Sequence, residues 1–176
     1  MSDFTTLRQL FEERLGEAYD AEKQLLQALP EVVEAVSDQR LREAFSANLA
    51  ETHEHVGRLE EVFALLDLRP RRRWCAGMTG LLEEVGNLLD AEGSELVRDA
   101  ALIAEYQRVE HYEMASYSAL ISWAKLLQLE DALDLLMAND REDKTADASL
   151  MLLARSAIDF AALGASTLTV VESVSS

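Results

Sequence analysis

Residues 7–30 read LRQLFEERLGEAYDAEKQLLQALP. Within this stretch Leu7, Phe11, Leu15, Ala18, Glu22, Leu25 and Leu29 recur at steps of three or four, which places them on one face of a helix. The face is apolar except at Glu22. A buried carboxylate is costly unless it is protonated, paired or bound to a cation, so Glu22 poses a question that the rest of the chain must answer. Pro30 is expected to kink or restart this helix, because it lacks a backbone donor and crowds the preceding turn.

Three further segments carry the same period. A second helix is expected to start at Ser37 or Asp38 and to present Leu41, Phe45, Asn48, Thr52, His55, Leu59, Val62 and Leu66. A third, from about Leu96 to Leu127, presents Ile103, Tyr106, Glu110, Glu113, Tyr117, Leu120 and Ala124. A fourth begins near Glu130 or Asp131 and presents Ala132, Leu136, Asn139, Asp143, Ala146, Leu150 and Leu153. About thirty residues separate the second helix from the third, with a short amphipathic helix around Leu81, Leu82, Val85 and Leu88. A link that long spans the bundle instead of making a hairpin. The expected fold is therefore all-α, a ferritin-like four-helix bundle with a long crossover between helices 2 and 3 and a short extra helix. The bundle is assigned to residues 1–155. Residues 156–176, including Thr167–Val171, fit no helical stripe and read as a weakly ordered tail or one that packs on a partner.

Composition narrows the function. The chain has 176 residues, a net charge of −17 and 49% hydrophobic residues, which is enough apolar material for one domain with a true core. Its acidity argues against nucleic-acid binding, and the cluster Arg69–Arg73 is expected to pair with acids at a helix end or an interface. No apolar run reaches the about 18–20 residues of a membrane span, and no leader pattern opens the chain, so a cytoplasmic protein is expected. The single Cys75 makes no internal disulfide.

The acids on apolar faces repeat across the chain. Glu22 to Glu51 spans 29 residues and Glu113 to Asp143 spans 30, and each second member is followed four positions later by a ligand type, His55 or Asp147. Residues four apart lie about 40° apart around a helix, so each such pair can point the same way. Basic neighbours (Lys23, Arg108, Lys144) point off the stripes, which leaves a bound cation as the compensating charge. The candidate metal ligands are Glu22, Glu51, His55, Glu110, Glu113, Asp143 and Asp147, in a pseudo-symmetric site for two ions. A mostly oxygen set with one imidazole suits Fe or Mn, with Zn allowed by affinity order. Glu54 is a weaker competitor, His53 and His111 are read as facing elsewhere or as supporting a ligand from behind, and Tyr19, Tyr106 and Tyr117 are read as core.

Specific motifs add a resemblance. The run Tyr19–Pro30, the triplet Glu51-Thr52-His53, the stretch Val97–Ala104 and the run Gln107–Glu113 resemble the YciE/YciF-type ferritin-like family, with likeness from about Leu7 to Ala154. The resemblance implies a carboxylate-bridged di-metal centre, a bacterial stress-related role and a homodimer. Among relatives it suggests peroxide or dioxygen chemistry, as in a catalase-, peroxidase- or ferroxidase-like oxidoreductase. The sequence departs from the family in its fourth helix, where Asp140-Arg141-Glu142-Asp143-Lys144 replaces a glutamate-rich run before Lys. Asp143 is one methylene shorter than Glu, which motivates a second reading: a structural or interaction protein with a degenerate or empty site.

Overall fold

Polar side chains start the first two helices. In the computed structural model, which describes residues 4–164, the Thr6 side chain accepts from the Gln9 backbone N–H and opens α1 (Leu7–Ala35). Asp38 accepts from the N–H groups of Arg40 and Leu41 and opens α2 (Gln39–Leu65), as its residue type predicts. The expected restart at Pro30 does not occur. Helix α1 runs through it to Ala35, and Pro30 lies on the exposed side, where water can satisfy the carbonyl that loses its partner. The turn between α1 and α2 is clamped from across the bundle. The fully buried Asp99 accepts from the Ser37 N–H at 3.1 Å, the Ser37 hydroxyl at 2.7 Å and the Asp38 N–H at 2.9 Å.

After α2 the chain crosses the outside of α1. The Arg73 N–H donates to the Gly16 carbonyl at 2.9 Å, and a Cβ at Gly16 would lie 2.6 Å from Arg73 Cγ and 3.0 Å from the Arg71 carbonyl oxygen. Only glycine permits this approach. Arg72 pairs with Asp20 at 2.7 Å and Arg73 with Glu13 at 2.9 Å, so two of the clustered arginines meet acids of α1, as charge balance predicts. The crossover carries α3 (Ala76–Leu89), which packs on α1 and α4 through Met78 and Val85. Helix α4 (Glu95–Leu126) then makes a short turn into α5 (Glu130–Leu153). Two helical hairpins, α1–α2 and α4–α5, thus lie side by side, joined by one long crossover with a short extra helix.

The chain does not become irregular after Ala154. It widens into a π-helical turn at Ala154–Ile158 and stays helical to residue 164, with Ile158 buried in the core. That differs from the tail reading over these residues; Thr167–Val171 lie outside the described residues. Among the described residues no helix is long and apolar enough to cross a membrane.

The core is divided in two. One apolar cluster gathers Leu25, Leu29, Phe45, Met78, Ile103 and Tyr106, and the other gathers Phe11, Leu15, Leu59, Phe63, Leu120 and Leu136. Between them, near the middle of each long helix, lies a buried polar layer: Glu22 on α1, Asn48, Thr52 and His55 on α2, Glu110 and Glu113 on α4, Asn139 and Asp143 on α5.

Candidate metal centre

Helical period brings Glu110 and Glu113 one turn apart on the same face of α4, and α5 lies against that face. Their carboxylates and that of Asp143 each offer an oxygen such that all three lie within 4.8 Å of one another. Glu22 and His55 close the group from α1 and α2. The imidazole Nδ1 lies 3.2 Å from Glu22 Oε1 and 3.6 Å from Asp143 Oδ1, and Nε2 lies 3.0 Å from Glu142 Oε2.

Two hydrogen-bonded relays orient the glutamates. Tyr106 donates to the Asn48 amide oxygen, and Asn48 Nδ2 donates to Glu110 Oε1 at 2.9 Å. On the other side Arg58 donates to Asn139 Oδ1 at 2.9 Å, Asn139 Nδ2 donates to the Tyr117 hydroxyl at 2.9 Å, and Tyr117 donates to Glu22 Oε1 at 2.5 Å. Each relay fixes one oxygen of a glutamate and leaves the other bare. Glu22 Oε2, Glu110 Oε2, Glu113 Oε1 and Asp143 Oδ2 are all buried with no donor aimed at them. A protonated Glu113 can itself donate towards Glu22. Buried polar atoms are almost always satisfied, so four bare oxygens in one place fit a cation.

Electrostatics agree. Burial, followed by the charges of Asp143 and Glu22, pushes Glu110 up to about 9. Burial does the same to Asp143, and although the His55 charge pulls it down, Glu22 and the acids beside it on α5 leave it at about 8. Glu113 is raised well above the usual carboxylate range, by burial and then by Glu22 and Asp143. Burial alone would lower His55, but its hydrogen bond to Glu22 and the charges of Glu22, Asp143 and Glu142 outweigh it and raise His55 to about 9. Without a metal, the layer therefore neutralises itself by holding protons.

Glu51 and Asp147 stand at the margin. Glu51 is half-buried beside a cavity between α2 and α5, and its carboxyl is raised by burial and then by Glu142. Asp147 is occupied by two groups of α4, accepting from Gln107 Nε2 at 3.0 Å and facing His111 Nε2 at 3.3 Å. His111 is otherwise exposed and touches the layer only through Asp147. Asn48, Asn139, Arg58 and Glu142 join the site although none of them is among the candidate ligands read from the sequence. Glu142 is gripped by Arg58 at 2.6 and 2.9 Å and reaches His55 from the solvent side. The available signal was an amide on an apolar stripe, at Asn48 and Asn139. Tyr106 and Tyr117 are core residues as read, but their hydroxyls also serve the polar layer.

The domain of unknown function DUF892 matches residues 6–163. The chain belongs to the DUF892 family. It is 40% identical over 150 residues to protein YciF of Escherichia coli strain K12, covering 85% of this chain and 90% of that one. The crystal structure of the E. coli stress protein YciF superposes with a TM-score of 0.85 at 38% identity, over 89% of this chain and 99% of that one. A second similar structure is YcfI from Rhodopseudomonas palustris, whose name proposes a structural role. It matches with a TM-score of 0.82 at 34% identity, over 84% and 94% of the two chains. The resemblance to a YciF-type family therefore holds, together with the all-α bundle it implied.

Proposed function

We propose that this protein binds two transition-metal ions, Fe or Mn, in the buried layer. The observation that carries the reading is the set of bare carboxylate oxygens on Glu22, Glu110, Glu113 and Asp143. Glu110, Glu113 and Asp143 would hold one ion. Glu22 and His55 would help to hold a second, with Glu51 and Asp147 at the margins. Oxygen donors with one imidazole suit Fe or Mn, and admit Zn. Fe or Mn bound there would supply one-electron redox chemistry towards peroxide or dioxygen. The chain's own part is to orient the carboxylates through the Asn48 and Asn139 relays, to give up the protons held on Glu110, Glu113, Asp143 and His55, and to exclude bulk water with the apolar clusters on either side. The likeness to a protein described as a stress protein supports a stress-related role; a cytoplasmic homodimer is proposed from the sequence resemblance alone.

The test is elemental analysis of protein purified without chelator and then reconstituted with Fe(II) or Mn(II). Two ions per chain are expected, with loss of metal in Glu113→Ala and Glu22→Ala and peroxide consumption that follows metal content. Full metal content in both variants would sink the assignment.

A second reading has its own support. Asp143 is a short arm, Glu142 is already committed to Arg58, and the YcfI name proposes a structural role. A purely structural protein would take up no stoichiometric metal, and its melting temperature would be the same with and without chelator.

A further inference from the structure

A cavity of about 170 Å³ lies between α1, α4 and the segment that enters α3, and its floor is formed by Glu22 and Glu113. For scale, an apolar cavity of about 150 Å³ holds a benzene-sized molecule. Its walls are apolar because α1 and α4 present alanines here, Ala18, Ala21 and Ala119, whose methyl groups leave the space unfilled. The ring of Trp123 completes the wall. Charge selects against anions. At the rim Arg14 and Glu17 pair with one another, while the floor carboxylates and a net charge of −17 repel anions. A cation finds ligands only at the floor, on the carboxylates assigned to the metal centre; the methyl and indole walls offer none, so the body of the cavity fits an uncharged molecule. Beyond the rim pair, the polar groups that matter lie at the floor and in the wall beside α3. Glu22 Oε2 and Glu113 Oε1 are buried without a donor, and the Cys75 thiol meets the Tyr112 hydroxyl at 3.0 Å in the wall.

We propose that this cavity binds a small uncharged molecule with an apolar body and one hydroxyl-type end, and that it is the path by which such a molecule reaches the carboxylate layer. Binding stands on the cavity alone; the role as an approach rests on the metal-centre reading above.

The chain has two tryptophans, and Trp74 is 68% exposed, so Trp74→Phe leaves Trp123 as the sole indole reporter in the cavity wall. Metal-free Trp74→Phe protein titrated with cyclohexanol should show a saturable change in Trp123 emission and protection from acrylamide quenching. Adding Ala119→Leu, at a partly exposed wall position, should abolish the saturable response, and Ala119→Ser should keep it, with unchanged circular dichroism in both. A linear response of equal size with and without Ala119→Leu would overturn the proposal. So would protection that rises with protein concentration instead of cyclohexanol, since a second copy would then cover the cavity. Metal content of Ala119→Leu should equal that of the parent. Cyclohexanol binding in a chain that takes up no metal would remove the metal reading and the approach role but leave the binding site standing.

Discussion

Glu22 and Glu110 are each tethered at one oxygen and bare at the other, and the tethers reach back to Tyr117 and Asn139 or to Asn48 and Tyr106. Such partners hold a ligating carboxylate at a fixed angle, and their loss commonly weakens metal binding by about 10–100-fold. Tyr117→Phe and Asn48→Ala are therefore expected to lower Mn(II) affinity by about that factor while the fold persists, as read by competition against a chelator of known strength. Unchanged affinity in both variants would detach the relays from the metal. The protons held by the layer set the pH response. Glu110 and Asp143 keep protons in the folded chain up to about 9 and about 8, far above the range where the unfolded carboxyls lose theirs. His55 likewise holds its proton to about 9 against an ordinary 6.5. In each case the folded state binds more protons, so their contribution to stability is complete at low pH and is lost as pH rises through the folded values. Metal-free protein should thus melt at progressively lower temperature from pH 6 to pH 9. Metal, which displaces those protons, should bind more tightly over the same interval. A melting temperature of the metal-free protein that is flat or rising from pH 6 to 9 would contradict the proton-holding layer.

At the level of helices, two buried acids serve the bundle instead of the centre. Asp20 accepts from the Cys75 N–H at 2.9 Å and from Arg72 and Gln24, which fastens the crossover to α1. Those bonds outweigh burial and hold its carboxyl below the usual range. Asp99 of α4 fastens the α1–α2 turn. Asp99→Ala would leave two backbone N–H groups at that turn without their acceptor and should cost about 2–3 kcal/mol in denaturant unfolding. Because the turn lies at one end of the bundle and the polar layer at mid-length, metal stoichiometry should be retained. Loss of metal in this variant would mean that the two hairpins are not positioned independently of that turn. Gly16 is where the connector meets α1 at a distance that leaves no room for a Cβ.

For the molecule as a whole, a polar layer between two apolar clusters means that the centre is bought with stability. Replacing a buried charged group with apolar side chains of similar volume is often neutral or stabilising by about 1–4 kcal/mol. The double variant Glu110→Met, Glu113→Leu should accordingly be at least as stable as the metal-free parent at pH 8, and should gain nothing from added Mn(II). The parent should gain about 2.7 kcal/mol when metal stands at 100 times its dissociation constant. A double variant that unfolds would show that the layer is needed for the fold itself. The helical stripes were legible in the chain: every residue read on the third stripe, Ile103 to Ala124, is buried, as are Leu41 to Leu66 on the second. Of the seven proposed ligands, Glu22, His55, Glu110, Glu113 and Asp143 lie together in the buried layer, whereas Glu51 yields the inward position to its neighbour Thr52, and Asp147 meets Gln107 and His111. Periodicity reports the direction of a side chain from its own helix axis, and that is enough to find an acid on an apolar face. It carries no information about what the neighbouring helix presents at the same height. The amino-acid order by itself therefore determined four helices, a long crossover and an inward set of acids. Only the tertiary structure decided which of those acids are answered by a hydroxyl, an amide or an arginine, and which oxygens are left bare, because that depends on the register between helices far apart in the chain.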